Sequence, residues 1–140
     1  MRVKLSETLG VSADTVWDLL RDFGGIRRWN RNGIEAVSVE GEGIGAIRTI
    51  RIPGGVELQE KLEAYDESGR SFSYSFTGEK VIPLEDYLAS MTVVPTSDSE
   101  CRVDWESEFG PGGMTVEAAG ELIEGIYRAG FSALKETTGG

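Results

Sequence analysis

The chain contains no histidine. That absence removes Ser-His-Asp and Cys-His nucleophile arrangements, a His-ligated zinc and a histidine proton switch. Cys101 is the single cysteine, so no intramolecular disulfide and no cysteine-cluster metal site can form. Without a histidine to activate it, Cys101 reads as a small apolar filler. No run of about 18 apolar residues occurs, which leaves no transmembrane span. The opening stretch MRVKLSETLG lacks the apolar centre of a signal peptide. Positive charge is scarce: 14 Lys and Arg stand against 24 Asp and Glu, for a net charge of −10. Such a chain repels phosphate backbones and anionic lipid, so neither nucleic acid nor membrane insertion is expected. The acidity favours solubility, and the cytoplasm is the expected location. The glycines at 41, 43 and 45 lack the following helix and the Lys-Ser/Thr pair of a phosphate loop. No cofactor and no metal are expected. Any catalysis falls to carboxylates, Arg, Lys, Tyr, Ser or Thr.

What is present suits one domain spanning residues 1–140, with 39% apolar and 27% charged residues. Residues 2–9 alternate and read as a strand. Ser12 is an N-cap followed by Asp14, and Val16, Trp17, Leu19, Leu20 and Phe23 recur at helical spacing. The spacing predicts a helix over 12–23, ended by Gly24-Gly25, and a short second helix over about 25–30 carrying Ile26 and Trp29. From Ile34 the period becomes two. Strands are predicted at 34–41, 45–53, 56–66, 70–78, 85–96 and 100–109, separated by Gly-, Pro-, Asp- and Ser-rich breaks. Breaks this short join antiparallel neighbours rather than crossovers. From Met114 to Lys135 the helical period returns, with Ala119, Leu122, Ile123, Ile126, Tyr127, Gly130, Phe131 and Leu134 in one stripe. Gly120, Gly125 and Gly130 each cost this helix about 1 kcal/mol relative to Ala. They imply either tight packing on a sheet or room for a ligand beneath the helix. The expected fold is α+β: a seven-stranded curved antiparallel sheet gripping the long C-terminal helix, with two short helices after strand one.

Strand parity singles out two charges. Ala46, Arg48, Ile50 and Ile52 share one face of 45–53, and Val56, Leu58, Glu60, Leu62 and Ala64 share one face of 56–66. Both faces are apolar apart from a single charge, and hairpin register sets Arg48 opposite Glu60. A charge on an apolar face is costly unless paired or solvated. Three readings stay open: an ion pair that satisfies only itself, a polar anchor for a ligand in an apolar cavity, or Glu60 as a general acid or base, which an opposed Arg48 works against. Aromatic residues point to the same interior. Phe72, Tyr74 and Phe76 share a face, as do Tyr87, Ala89, Met91 and Val93, and Val103, Trp105, Ser107 and Phe109. Tyr74, Tyr87 and Trp105 are either ordinary core or cavity walls with hydrogen-bonding groups, and Tyr127 reaches the same space from the helix stripe. If Phe72, Tyr74 and Phe76 fill that space, the chain is a scaffold without a ligand. Asp98, Glu100, Asp104, Glu106 and Glu108 read as a solvated outer strand face.

In order and spacing, several stretches together resemble one superfamily. They are Val11-Ser12-Ala13-Asp14-Thr15-Val16-Trp17 with Asp22-Phe23 and Trp29; Gly45-Ala46-Ile47-Arg48; Glu60-Lys61-Leu62-Glu63-Ala64-Tyr65-Asp66; Pro83-Leu84-Glu85-Asp86-Tyr87; and Val103-Asp104-Trp105. The pattern resembles the START-like superfamily, also described as the Bet v 1-like or SRPBCC fold, in its polyketide cyclase/dehydrase-like and lipid-transport branch. The resemblance covers nearly the whole chain. It implies a helix-grip fold whose cavity binds a small hydrophobic molecule: a lipid, a polyketide or an aromatic metabolite. Arg48, Glu60, Tyr74, Tyr87, Trp105 and Tyr127 are the candidate ligand-binding residues, with the cavity mouth near loops 53–55 and 79–84. The alternative it implies is a cyclase, dehydratase or lyase, in which Glu60 or a tyrosine moves protons and Arg48 stabilises an enolate. A third is a regulatory protein whose loops 53–55 and 79–84 change on ligand binding. A more distant similarity to plant abscisic-acid receptors rests on Arg48, Glu60 and Tyr87. The receptors' gate and histidine-containing latch are here Arg51-Ile52-Pro53-Gly54-Gly55 and Glu79-Lys80-Val81-Ile82-Pro83-Leu84, so that gating mechanism is not expected.

Overall fold

A computed structural model describes residues 1–140. Strand β1 (Arg2–Leu9) leads into α1 (Ala13–Leu20) and a 3-10 helix (Phe23–Arg28). Six strands follow: β2 (Ala36–Glu40), β3 (Ile47–Arg51), β4 (Glu57–Asp66), β5 (Ser71–Thr77), β6 (Glu85–Ser97) and β7 (Glu100–Gly110). The chain closes with α2 (Val116–Thr138). The seven strands form one antiparallel sheet in the order β1-β7-β6-β5-β4-β3-β2. The sheet curves around α2, which is the expected helix-grip architecture, with β1 beside β7. No helix is long and apolar enough to cross a membrane.

The helix ends differ from the sequence prediction for local reasons. Ser12 Oγ accepts from the Thr15 N–H at 3.2 Å and opens α1, which buries Ala13, Val16, Trp17 and Leu20. The helix stops at Leu20 rather than running to residue 23, because Asp22 is extended (φ −87°, ψ 93°). Phe23 begins the 3-10 helix instead of ending α1, and that helix starts two residues earlier than the predicted 25–30, with a kink at Gly25. Both Phe23 and Ile26 enter the core this way. The β4–β5 turn pins α1 from outside: the Trp17 indole N–H donates to Glu67, Arg21 lies 2.7 Å from the same carboxylate, and Arg70 meets Asp14 at 2.9 Å.

β2 and β3 are also shorter than predicted. Gly41, Gly43 and Gly45 take positive φ (84°, 63° and 95°), which turns the chain at 41–45, and the Gly45 N–H still donates to the Leu62 carbonyl at 2.8 Å. In β4 a bulge between Leu62 and Ala64 shifts the register by one residue. The predicted inward face therefore holds through Glu60 and Leu62 but fails at Ala64, which is exposed; Ile52 and Val56 at the neighbouring loop are exposed as well. α2 begins at Val116, because Thr115 caps it by accepting from Ala118 N–H at 3.1 Å. It runs past Lys135 to Thr138, where left-handed Gly139 (φ 77°) ends it.

Of the three glycines in α2, only Gly130 is required by close approach. A Cβ there would lie 2.5 Å from Trp105 Cζ3. At Gly120 it would only touch Met1 at 3.6 Å, and at Gly125 it would meet nothing. The helix backbone thus comes closest to a sheet side chain over Trp105. Ile126, one turn earlier, is 41% exposed, while Ala119, Ile123 and Tyr127 are fully buried.

Candidate functional site

Arg48 and Glu60 face each other in register across β3 and β4, on the concave side. Arg48 Nε donates to Glu60 Oε1 at 2.8 Å, and Nη2 lies 2.7 Å from the same oxygen. Nη1 donates to the Phe23 backbone carbonyl at 2.9 Å. The guanidinium sits 4.0 Å from the Phe23 ring centroid and 5.4 Å from that of Tyr74, within cation–π range of both. The two side chains are only 5% and 8% exposed, and the pair is tolerable because the charges meet and three of the five guanidinium N–H groups reach an oxygen. Glu60 Oε2 accepts no hydrogen bond from the protein, and Ser107 Oγ is the one fully buried side-chain polar atom without a partner. Oε2 therefore keeps contact with open space.

That space is a cavity of about 260 Å³ between the sheet and α2. Arg48 and Glu60 form its polar corner, and Tyr74, Tyr87 and Trp105 line its walls. Tyr127 does not line it, which corrects the placement read from the helix stripe. It is fully buried behind Trp105, whose ring stacks on it at 4.2 Å and 15°. The helix approaches so closely at Gly130 that Trp105 fills the space a Tyr127 ring would need to reach the cavity. Nor do Phe72, Tyr74 and Phe76 fill the interior: Tyr74 and Phe76 are walls, and Phe72 lies outside the lining.

The tyrosines satisfy each other. Trp105 Nε1 donates to the Tyr74 hydroxyl at 3.0 Å, and the Tyr87 and Tyr127 hydroxyls are 2.5 Å apart. Burial pushes Tyr74 and Tyr87 well above the usual tyrosine range and Tyr127 up to about 12. Above pH 10, the ordinary tyrosine value, the unfolded chain gives up these protons while the folded protein retains them. Stability present below that pH is therefore lost as the pH rises through about 12. Thermal melts from about pH 9 upward are expected to show this fall, with a shallower slope in Tyr127→Phe. An identical slope in both proteins is the contrary result.

Sequence reasoning placed only part of the mouth. Asn30, Gly33, Ile34, Ile52, Ile82, Ile126 and Ala129 line the cavity where it opens. Of the two loops expected there, 53–55 contributes nothing beyond its neighbour Ile52, and 79–84 contributes Ile82. Segment 29–34 carries no periodicity that would have marked it. In α2 the steps Ile123, Ile126 and Gly130 were visible as a stripe, but not as a lid. Cys101 is buried, and burial pushes its thiol up, with Glu100 adding to the effect, as fits a filler rather than a nucleophile.

The family model described as polyketide cyclase/dehydrase and lipid transport matches residues 1–139. No curated protein matches the sequence. Among solved structures, an uncharacterised protein from Bacillus thuringiensis is similar at 26% identity, covering 99% of this chain and 98% of its own, with a TM-score of 0.91. A Thermobifida fusca protein solved by NMR is 30% identical over 99% of this chain and 93% of its own, with a TM-score of 0.83. Norcoclaurine synthase from Thalictrum flavum, solved with dopamine and hydroxybenzaldehyde, shares the fold at 19% identity. There the match covers 97% of this chain and 84% of the synthase, with a TM-score of 0.74.

Proposed function

Since the chain belongs to the polyketide cyclase/dehydrase and lipid transport family, we propose that it binds a small, mostly hydrophobic ligand in the cavity between the sheet and α2. The observation that carries this reading is the cavity itself: about 260 Å³, with 15 hydrophobic residues among the 20 that line it. An apolar cavity of about 150 Å³ already takes up benzene. The space here suits one or two rings better than a long lipid tail. Arg48 and Glu60 anchor the polar end of the ligand, Tyr74, Tyr87 and Trp105 form its walls, and Tyr127 holds Tyr87 in place.

Titration with indole, followed by backbone amide NMR, tests the reading. Saturable shifts are expected around segment 29–34, β3 and the middle of α2. They are expected to vanish in Ala129→Phe, which plugs the mouth without touching the ion pair. No saturable shift with indole, or the same shifts in Ala129→Phe, would sink the proposal.

A second reading, a cyclase, dehydratase or lyase acting on a polyketide or aromatic substrate, is favoured by the unpartnered Glu60 Oε2 facing the cavity. In it Glu60 or a cavity tyrosine moves a proton, and Arg48 stabilises the enolate oxygen. Turnover that disappears in Glu60→Gln while indole still binds separates catalysis from binding.

A further inference from the structure

Granting the binding reading above, the polar groups of the cavity restrict which ligand it takes. Arg48 is the only basic residue in the lining, and it is already matched by Glu60 and by the Phe23 carbonyl. Its charge is balanced by Glu60, and only two of its five N–H groups are left over. The lining adds the Glu60 Oε2 acceptor, the Tyr74 hydroxyl, and the Trp29 indole and Asn30 amide. An indole N–H can only donate, so in the Trp105–Tyr74 hydrogen bond the Tyr74 oxygen is the acceptor. That bond uses a lone pair and leaves the Tyr74 proton able to turn toward the neighbouring Tyr87 hydroxyl or toward a ligand. Glu60 lies opposite Phe76, two residues from Tyr74 in β5, so acceptor and donor are diagonal neighbours on one face.

We propose that the cavity selects an uncharged ring molecule bearing a hydroxyl, which donates to Glu60 Oε2 and accepts from Tyr74, and that it rejects carboxylates. A hydroxyl has both functions on one atom, as this corner requires. A carboxylate would bring a second negative charge beside Glu60 in an apolar space, with Arg48 already neutralised. The net charge of −10 disfavours anions further.

Three probes of nearly equal size separate the possibilities: p-xylene, p-cresol and p-toluate, titrated near neutral pH with amide shifts as the readout. At that pH the phenol is neutral and the carboxylate ionised. The parent protein is expected to bind p-cresol at least about tenfold more tightly than either p-xylene or p-toluate, and tenfold corresponds to about 1.4 kcal/mol. In Glu60→Gln, Arg48 is left unmatched, and the preference is expected to swing toward p-toluate by about tenfold or more. If the parent binds p-toluate best, or p-cresol no better than p-xylene, the selectivity is overturned and the cavity reading stands. If a folded Glu60→Gln keeps the parent ranking, Glu60 is not the determinant and the proposal fails. If none of the three shifts the cavity amides, the binding reading fails with it. The ranking in the parent protein decides the matter whether or not Glu60→Gln folds.

Discussion

Arg48→Met is expected to lower folding stability by about 3–5 kcal/mol, the cost of stranding a buried charge without its partner. The methionine keeps much of the arginine stem's volume, so packing accounts for little of the loss. Glu60 is left 8% exposed with its charged partner gone. The Phe23 carbonyl loses its hydrogen bond in the same step. One further result identifies the cause. The double variant Arg48→Met/Glu60→Leu should recover most of it, since a hydrophobic pair of similar volume is often as stable as the ion pair it replaces. Chemical denaturation of the parent and the two variants checks this. A loss below about 1 kcal/mol in Arg48→Met would mean that the pair behaves as a surface salt bridge and is not a buried anchor.

Trp105→Ala is expected to cost about 3–5 kcal/mol, at the upper end of large-to-small core changes. Trp105 stacks on Tyr127, meets Trp29 edge-on at 6.5 Å and Phe131 edge-on at 5.7 Å, and donates its N–H to Tyr74. It also fills the place where α2 comes nearest the sheet, against Gly130. Its removal leaves a void that Gly130 has no side chain to fill, and takes the partner from a buried hydroxyl. The floor of the cavity drops at the same time. Trp105→Ala should therefore bind rings larger than indole that the parent excludes, even as its melting temperature falls. A loss under about 2 kcal/mol, or unchanged ligand size selectivity, would show that neighbouring side chains collapse into the gap.

The architecture was legible in the sequence because it is written in short-range pattern. Alternation from Ile34 onward, turn residues at each break and a helical stripe after Met114 are local signals, and together they define six strands and a long helix after the first strand and two short helices. Parity within β3 and β4 put Arg48 and Glu60 on the concave face, and the hairpin register that makes them opposite partners is the one observed. The absence of histidine and the single cysteine narrowed the chemistry before any fold was known. Other features depend on contacts between distant segments. The Leu62/Ala64 bulge turned Ala64 outward, and nothing in the alternation of β4 announces it. Whether Tyr127 faces a ligand or the back of Trp105 depends on how closely α2 settles on the sheet, and the missing Cβ of Gly130 decides that. The mouth joins segment 29–34, Ile52, Ile82 and Ile126, four places with no sequence relation, brought together by sheet curvature. Tertiary structure alone showed that Arg48 uses a single oxygen of Glu60. Composition and periodicity specify which faces are buried; the volume left between them, and the polar atom left free to face it, are set by how the packed elements meet.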